Sequence, residues 1–368
     1  MIYLDNAATS FPKPHSVLRE VTNCITKYCG NPGRGSHKLA LAAADKIFET
    51  RVLISDFFGY DKCENVIFAP NATSALNLVI KGAIKEKCHC IISDLEHNSV
   101  LRPLYKTVSK YKTEISVFNT DTPLEEAITP LLRSDTKIII STLCSNVTGK
   151  TVDFDQLSEI AKANGLKLII DASQYAGHMD LNLKNKHFTA ICTAGHKALF
   201  GIQGGAFAII NSSELFDTLV EGGSGIDTFS KEMPFILPER YEAGTMSTPA
   251  IASMHAGISF LKKTGIHEVE AKLRHLTNTV SEEFSKIPSI TLYGAENGII
   301  SFNLGNYNSS YVSDALDKYG FATRGGFHCS PLIHEKLNTT EQGAVRISLS
   351  YFNTEQQIYS LCKALNNL

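Results

Sequence analysis

The chain has 368 residues, of which 43% are hydrophobic and 20% are charged, and its formal net charge at pH 7 is −2. This composition is typical of a globular protein that is long enough for two domains. The small net charge gives no electrostatic reason to expect nucleic acid or an anionic membrane as a partner. No apolar run approaches the ~20 residues of a membrane span, and the N-terminus does not resemble a signal peptide.

Nine cysteines are spread irregularly along the chain. An odd number without regular spacing favours free thiols in a reducing compartment, so we expect a cytoplasmic protein without a disulfide framework. Cys88-His89-Cys90 is the one tight cluster of possible metal ligands. No second ligand pair accompanies it at the spacing of a zinc site, so no metal is expected.

In chain order, a strand at 2–4 and helices at 15–27 and 40–58 are followed by a regular alternation of strands and helices. The alternating strands are predicted at 65–69, 89–93, 114–118, 137–142 and 166–171, and the helices at 75–83, 99–111, 122–132 and 154–164. This alternation, with apolar β-branched strands, is typical of an α/β protein with an open, mostly parallel sheet. Ligands of such sheets bind beyond the carboxyl ends of the strands.

Beyond residue 250 the pattern changes to long helices and short strands. The helices are predicted at 249–264, 266–286, 309–319 and 354–366, and the strands at 290–293, 298–304 and 344–348. We therefore predict a large domain over residues 15–250. A smaller α+β domain is predicted to consist of residues 1–14 and 251–368.

Lys197 lies between two apolar, strand-like segments and is accompanied by glycines at 195, 201, 204 and 205. A crowded lysine loses proton affinity and becomes an amine that can form a Schiff base. On this stretch alone, a partly covered lysine at a turn is the simpler interpretation. In the context of the whole chain, we interpret the glycines after Lys197 as room for a cofactor and a partner subunit.

Polar residues follow the other predicted strands. They are Ala72-Thr73, Asp94 to Asn98, Ser145 to Gly149 and Asp171 to Gln174. An acid such as Asp171 at a strand end can pair with a pyridine nitrogen, and Lys197 follows after one further strand. The helix that opens at Ala72-Thr73 offers N–H groups to a phosphate. Together these features predict pyridoxal phosphate as the cofactor.

Ordered motifs carry a family resemblance over nearly the whole length. They are Tyr3-Leu4-Asp5-Asn6-Ala7-Ala8, Arg34-Gly35-Ser36-His37, Glu96-His97-Asn98, Ser145-Asn146-Val147, Asp171-Ala172-Ser173-Gln174, Gly195-His196-Lys197, Arg240-Tyr241-Glu242-Ala243-Gly244-Thr245, Arg324-Gly325-Gly326-Phe327-His328-Cys329 and Arg346-Ile347-Ser348-Leu349. With them the chain resembles the class V aminotransferase family, in its cysteine desulfurase and selenocysteine lyase branch. The resemblance implies the fold type I of pyridoxal-phosphate-dependent transferases and a homodimer with shared active sites.

The resemblance also implies a role for each matching residue. Lys197 is expected to form the Schiff base and Asp171 to pair with the pyridine nitrogen. Other cofactor contacts are expected from Gln174 to the ring hydroxyl, from His97 stacked on the ring, from the Ala72 backbone, Thr73 and His196 to the phosphate, and from Thr245 to the phosphate in the neighbouring subunit. Asn146, Arg324 and Arg346 are expected to bind the substrate, with Asn146 also at the cofactor. His97, Lys197 and Cys329 are the expected catalytic residues.

Cys329 lies in a glycine-rich loop beside His328 and near Arg324, a setting that favours a thiolate. The short approach to Cys329 resembles the branch with a short, ordered cysteine loop, which implies a sulfur-accepting partner protein. Three positions depart from the family pattern: Ala194 in place of serine, Phe327 in place of histidine and Ala72 in place of threonine. Thr193 is expected to supply the phosphate contact that Ala194 lacks.

The expected reaction converts L-cysteine to L-alanine and leaves the sulfur on Cys329 as a persulfide. Two alternatives stay open. One is a selenocysteine lyase, or another aminotransferase or β-lyase of the same family. The other is a non-catalytic scaffold that has kept the fold.

Overall fold

The computed structural model describes residues 1–33 and 35–368, so Arg34 of the second motif lies outside the described residues. The N-terminal segment contains β1 (Ile2–Tyr3), α1 (His15–Asn23) and α2 (Lys38–Phe57). The segment between α1 and α2 begins with a π-helical turn at Cys24–Tyr28. Both predicted N-terminal helices are confirmed.

A seven-stranded sheet forms the centre of the protein. Its strands and covering helices, in chain order, are β2 (Val66–Ala69), α3 (Ala72–Ala83), β3 (His89–Ser93), α4 (Asn98–Tyr111), β4 (Glu114–Phe118), α5 (Leu124–Ile128), β5 (Thr136–Thr142), α6 (Phe154–Ala163), β6 (Lys167–Asp171), β7 (Ala190–Ala194) and β8 (Ala206–Ile210). The strand order is β2-β8-β7-β6-β5-β3-β4, and only β8 runs antiparallel to its neighbours within the described sheet. The predicted α/β fold with a mostly parallel sheet is confirmed.

Apolar layers cover both faces of this sheet, which explains why its strands are almost continuously hydrophobic. Ile139 and Ile170 pack into one layer, whereas Ile138, Ile140 and Ile169 pack into the other. Successive side chains of a strand point to opposite faces, so each strand contributes to both layers. The helix predicted at 122–132 is shorter than expected, and a 3₁₀ turn that contains Pro130 follows it. Proline has no N–H group to continue a helix.

The C-terminal part begins with α7 (Thr248–Thr264) and α8 (Ile266–Phe284). It continues through β9 (Ile290–Glu296), β10 (Ile299–Leu304), α9 (Ser309–Lys318), β11 (Phe321–Ala322), β12 (Arg324–Gly326), α10 (Pro331–Lys336), β13 (Ala344–Ser348) and α11 (Glu355–Leu365). Four of these strands form an antiparallel sheet in the order β12-β13-β10-β9. The predicted change to an α+β arrangement is confirmed.

The N-terminal segment touches both parts of the chain. β1 pairs in parallel with β11, while Thr9 and Ser10 reach the turn that carries Lys197. Helix α7 packs against α1 and α2. The division into residues 15–250 against 1–14 and 251–368 stays a prediction.

The glycines around Lys197 serve internal packing. A Cβ atom at Gly195 would overlap the Met254 sulfur, and one at Gly201 would lie 2.8 Å from Met254 Cγ. At Gly205 a Cβ would lie 3.2 Å from Ala250 Cβ. The lysine turn therefore lies directly on α7, which explains why positions 195, 201 and 205 carry no side chain. The interpretation of the glycines after Lys197 as room for a cofactor and a partner subunit stays a prediction.

Candidate active site

A cavity of about 130 Å³ lies at the carboxyl ends of β3, β5, β6 and β7. It is lined by Asn71, Ala72, Thr73, His97, Ser99, Thr142, Cys144, Asn146, Asp171, Ser173, Gln174, Ala194, His196 and Lys197. Parallel strands end at one edge of a sheet, so residues that are far apart in sequence meet there. The predicted residues at positions 72, 73, 97, 146, 171, 174, 196 and 197 are among them.

Lys197 sits in a turn whose backbone is held by the N-terminal segment. Ser10 Oγ donates to the Lys197 carbonyl oxygen at 2.8 Å, and Lys13 Nζ donates to the His196 carbonyl oxygen at 2.7 Å. Desolvation lowers the pKa of Lys197 to about 8, although the nearby Asp171 carboxylate acts to raise it. About one amine in ten is therefore unprotonated at pH 7, and the unprotonated amine is the form that a nucleophile requires. Nothing in the sequence pattern had indicated Ser10 or Lys13.

Asp171 is buried at the end of β6, and its Oδ1 accepts from the Ser173 N–H at 2.9 Å. Gln174 follows in the same turn and donates through Nε2 to the Ala7 carbonyl oxygen at 2.9 Å. Two polar atoms of this turn, Ser173 Oγ and Gln174 Oε1, are buried without a partner among the described residues. Buried polar groups are nearly always hydrogen-bonded, so both atoms fit a site that receives a polar ligand.

His97 is the N-cap of α4, and its Nδ1 accepts from the Ser99 N–H at 3.0 Å. The Ser99 hydroxyl lies 2.9 Å from the same nitrogen and 2.8 Å from Thr73 Oγ1. Desolvation, aided by the charge of Lys197, lowers the pKa of His97 to about 4. His97 is thus a neutral, oriented ring whose Nδ1 acts as an acceptor. Ser99, which the sequence analysis missed, connects it to Thr73.

Ala72 and Thr73, in the first turn of α3, also line the cavity. N–H groups in a first helical turn have no partner within the helix, and they favour an anion. His196 completes this end, with its Nδ1 3.1 Å from Thr9 Oγ1. Desolvation lowers the pKa of His196 to about 4, so it is neutral.

The expected compensation at position 194 does not occur. Ala194 lines the cavity, whereas Thr193 is buried elsewhere and its hydroxyl donates to the Ala172 carbonyl oxygen at 3.4 Å. Successive residues of a strand point to opposite faces, so Thr193 cannot take the place of Ala194. The prediction that Thr193 contacts a phosphate is wrong.

Glu96, a further residue that the sequence analysis did not assign, is fully buried beside His97. Its Oε1 accepts from Ser93 Oγ and from the Thr142 N–H at 2.8 Å, while its Oε2 has no partner among the described residues. Thr142 in turn pairs in register with Asp171. Desolvation raises the pKa of Glu96 to about 8, so this side chain is a neutral acid at pH 7 that braces the strand ends.

Two arginines lie beside the cavity and share one carboxylate. Arg346 Nη2 is 2.8 Å from Asp5 Oδ1, and Arg324 Nε is 3.5 Å from Asp5 Oδ2. Arg346 is buried and also donates to the Asn146 carbonyl oxygen at 3.0 Å, while its Nε has no partner among the described residues. Arg324 is half-exposed. Their positive charges both act to lower the pKa of Lys197.

Cys329 is exposed in the short loop between β12 and α10. Asn98 N–H donates to its carbonyl oxygen at 2.7 Å, so the loop lies against the start of α4. His328 Nε2 bonds to the Ala344 carbonyl oxygen at 3.0 Å, and desolvation lowers its pKa to about 2. His328 is therefore uncharged and supplies no positive charge to a thiolate at Cys329. The expectation that this loop favours a thiolate stays a prediction.

The chain matches the family model described as "Aminotransferase class-V" over residues 2–361. It belongs to the class V aminotransferase family. A protein of Methanothermobacter thermautotrophicus named "Probable cysteine desulfurase" is 28% identical over an alignment of 387 positions that covers 100% of this chain and 94% of that protein. An Escherichia coli protein named "Cysteine desulfurase" is 27% identical and covers 100% of this chain and 93% of its own length.

The solved structures extend the same finding to the fold. The apo structure of a cysteine desulfurase from Thermococcus onnurineus NA1 has a TM-score of 0.89 and 26% identity, and it covers 100% of this chain and 94% of that one. The predicted fold type I and the family resemblance are confirmed. Class V aminotransferases are pyridoxal-phosphate-dependent enzymes, so pyridoxal phosphate is the cofactor of this chain and the residues around the cavity suit it.

In this class V aminotransferase, Thr245 does not line the 130 Å³ cavity of its own chain. It is exposed and lines a separate groove together with Phe48, Arg51 and Glu242. Glu242, from the same motif as Thr245, forms a buried ion pair with Arg51 and accepts from the Phe68 N–H at 2.6 Å. That pair anchors the motif to the edge of the central sheet. Neither Thr245 nor Cys329 lines the 130 Å³ cavity.

The side chains of Cys88, His89 and Cys90 contact one another or other residues of the chain. The two sulfur atoms are 3.9 Å apart, and the His89 ring nitrogens bond to the hydroxyls of Thr136 and Ser116. Among the described residues, no three or more histidine, cysteine or acidic side chains are grouped so that they could hold a metal ion. No helix within residues 1–33 and 35–368 is long and apolar enough to cross a membrane.

Proposed function

We propose that this protein is a cysteine desulfurase that converts L-cysteine to L-alanine and retains the sulfur on Cys329 as a persulfide. The observation that carries the proposal is the position of Cys329. Its loop is hydrogen-bonded to Asn98 and to Asn146, and Asn146 lines the cavity that also contains Lys197 and Asp171. An accessible thiol at the rim of a pyridoxal phosphate site is what transfer of sulfur from a bound amino acid requires.

The reaction balances without an added oxidant. The C–S bond of the substrate breaks, an S–S bond forms to Cys329 Sγ, and the thiol protons end on the alanine methyl group and the persulfide. Pyridoxal phosphate, held by Lys197 and Asp171, would supply a sink for the electrons that the C–S bond releases. The thiolate of Cys329 is the group that accepts the sulfur.

The residues of the chain divide the remaining tasks. Lys197 would hold the cofactor, Asp171 would pair with its ring nitrogen, and the first turn of α3 would hold its phosphate. His97 would cover the ring, and its neutral state spares Lys197 a further positive charge. Arg346 would receive the substrate carboxylate, since its Nε has no partner among the described residues and a planar guanidinium suits that task.

The proposed enzyme is a homodimer. α2 exposes Leu41, Phe48 and Val52, and the segment at 222–234 lies across the same groove and carries a fully exposed Phe229. Exposed apolar patches of this kind mark protein interfaces. A second copy seated there would cover these side chains and bring Thr245 of the partner subunit to the cofactor phosphate.

A protein that accepts the sulfur is the proposed partner. Cys329 and Phe327 are both exposed on the same short loop, so a second thiol can approach without unfolding the enzyme. The free thiols of all nine cysteines are consistent with our placement of this reaction in the cytoplasm.

The test is the product balance of three variants. Wild type and Cys29→Ala, which removes another exposed thiol, should form alanine and sulfide from L-cysteine in equal amounts with a reductant present. Cys329→Ala should lose this activity, and Lys197→Ala should take up no cofactor. Full desulfuration by Cys329→Ala would refute the persulfide route.

The same assay separates the alternatives. Selenocysteine turnover that survives in Cys329→Ala, with little activity on cysteine, would indicate a selenocysteine lyase. Production of a keto acid would indicate an aminotransferase. A purified protein that binds no pyridoxal phosphate would indicate a non-catalytic scaffold.

A further inference from the structure

Three consecutive residues of the Cys329 loop are each tied to the edge of the central sheet. Asn146 Nδ2 donates to the His328 carbonyl oxygen at 2.8 Å, and Ser330 Oγ donates to Asn146 Oδ1 at 2.6 Å. Between them, the Cys329 carbonyl oxygen accepts from the Asn98 N–H at 2.7 Å. One carboxamide therefore holds the residues on both sides of Cys329.

The Ser330 hydroxyl departs from what its local sequence favours. Ser330 is the N-cap of α10, a position where a serine side chain normally accepts from the helix backbone. Here it makes no such bond. Ser330 is fully buried, and its hydroxyl instead reaches Asn146, which lies far away in the sequence. A local preference given up at a buried position is typical of functional sites.

The backbone that these bonds hold is strained. His328 and Cys329 both have left-handed conformations, with φ values of 49° and 59°. Residues other than glycine adopt this region rarely, and they persist there when their surroundings hold them. The hydrogen bonds to His328, Cys329 and Ser330 supply that restraint. Without them we expect the loop to relax and the thiol to leave its present position.

Asn146 connects this loop to the cavity. Its side chain lines the cavity, and its carbonyl oxygen accepts from Arg346 Nη1 at 3.0 Å. The His328 carbonyl oxygen can only accept, so it fixes which end of the carboxamide faces it, and Ser330 donates to the other end. With the carboxamide reversed, an oxygen would face the His328 carbonyl oxygen and the bond would be lost.

We propose that Ser330 is a positioning residue that acts through Asn146 to hold Cys329 at the rim of the active site. The link to sulfur transfer rests on the proposed desulfurase function, whereas the clamp itself does not. The clamp consists of Ser330, Asn146 and the His328 carbonyl group. Asn146 thus has a second task besides the contact with substrate or cofactor that its motif implies.

The clamp can be tested on the apo-protein by hydrogen–deuterium exchange of the peptide that covers residues 324–332. Ser330→Ala should make this peptide exchange roughly five-fold faster, because one buried hydrogen bond is lost. Ser158→Ala is the matched control, since Ser158 is equally buried and its hydroxyl accepts from the His187 N–H at 2.8 Å, far from the loop in sequence. The control should leave this peptide unchanged.

A double-mutant cycle shows whether Ser330 acts through Asn146. Asn146→Ala should speed exchange of the same peptide, and adding Ser330→Ala to it should produce no further change. An unchanged exchange rate in Ser330→Ala would overturn the proposal. The proposal would also be overturned if the double variant exchanged faster by the product of the two single effects, because Ser330 would then act independently of Asn146.

The catalytic consequence has its own readout in the holoenzyme. In a single turnover of L-cysteine without an acceptor, Ser330→Ala should form the Cys329 persulfide roughly five-fold more slowly. The cysteine concentration at half-saturation should stay the same, because no substrate contact is removed. A rise in that concentration at an unchanged rate constant would contradict a positioning role. If wild type forms no persulfide, the proposed function fails, while the exchange experiment still decides the clamp.

Discussion

The pKa of Lys197 controls how fast the apo-protein takes up its cofactor. Desolvation lowers this pKa from about 10.5 to about 8, the charges of Arg346 and Arg324 act in the same direction, and Asp171 opposes them. Only the unprotonated amine can attack the aldehyde of pyridoxal phosphate. At pH 6 about one amine in a hundred is free and at pH 7 about one in ten.

The rate of cofactor uptake should therefore rise about ten-fold per pH unit below pH 8 and level off above it. An unperturbed lysine would show a continuing rise to beyond pH 10. Asp171→Asn removes the negative charge that raises the pKa of Lys197, so the midpoint of uptake should move below that of wild type. Asp155→Asn, an exposed acid that pairs with Lys186, is the control and should leave the midpoint unchanged.

The assay is stopped-flow absorbance after mixing apo-protein with pyridoxal phosphate between pH 6.5 and 10. Each rate is divided by the rate at which free Nα-acetyl-lysine reacts with pyridoxal phosphate at the same pH. That reference rate is first corrected for the titration of the Nα-acetyl-lysine side-chain amine. This division removes the ionisation of the cofactor itself. A wild-type midpoint near 10, or a midpoint that rises in Asp171→Asn, would refute the electrostatic account of Lys197.

Three further predictions concern the surroundings of the site. Glu96 has its folded pKa raised to about 8 by desolvation, so its stabilising contribution is complete below pH 4 and is lost as the pH rises through 8. Apo Glu96→Gln should therefore match wild type in Tm at pH 4 and exceed it at pH 8.5; a lower Tm at the higher pH would contradict a neutral Glu96. Gly201→Ala should lower the free energy of unfolding in urea by about 1–3 kcal/mol, because the added methyl group meets Met254. The double variant Gly201→Ala/Met254→Ala should lose less stability than the sum of the two single losses. Phe48→Glu should produce a monomer in light scattering and weaken cofactor binding, whereas a dimer with unchanged affinity would place the interface elsewhere.

Periodicity predicted the secondary structure well where strands and helices alternate. The strand at β3 and the one at β4 have the predicted bounds, because each is a short apolar run bordered by polar or turn residues. The helix at 122–132 was predicted too long, since Pro130 interrupts it. A single proline causes this interruption, and a hydrophobic period that is read over many residues does not reveal it.

The lining of the active site was predictable only in part. His97, Asp171 and Lys197 follow strands, and a parallel sheet brings strand ends together, so their meeting could be expected. Ser99 and Glu96 were missed because their importance lies in hydrogen bonds to Thr73 and Thr142. The first bond joins α4 to α3 and the second joins the loop after β3 to β5, and no spacing within one stretch reveals them.

The sequence alone was sufficient for the α/β sheet, the family and the lysine, acid and thiol of the proposed reaction, because these depend on residue type and chain order. The tertiary structure decided which way each side chain points. It turned Thr193 away from the cavity, made His328 neutral through burial, and assigned the glycines around Lys197 to contact with α7. It also joined Ser330 to Asn146 across the chain. Direction, desolvation and long-range contact arise only when the elements pack, so no local pattern encodes them.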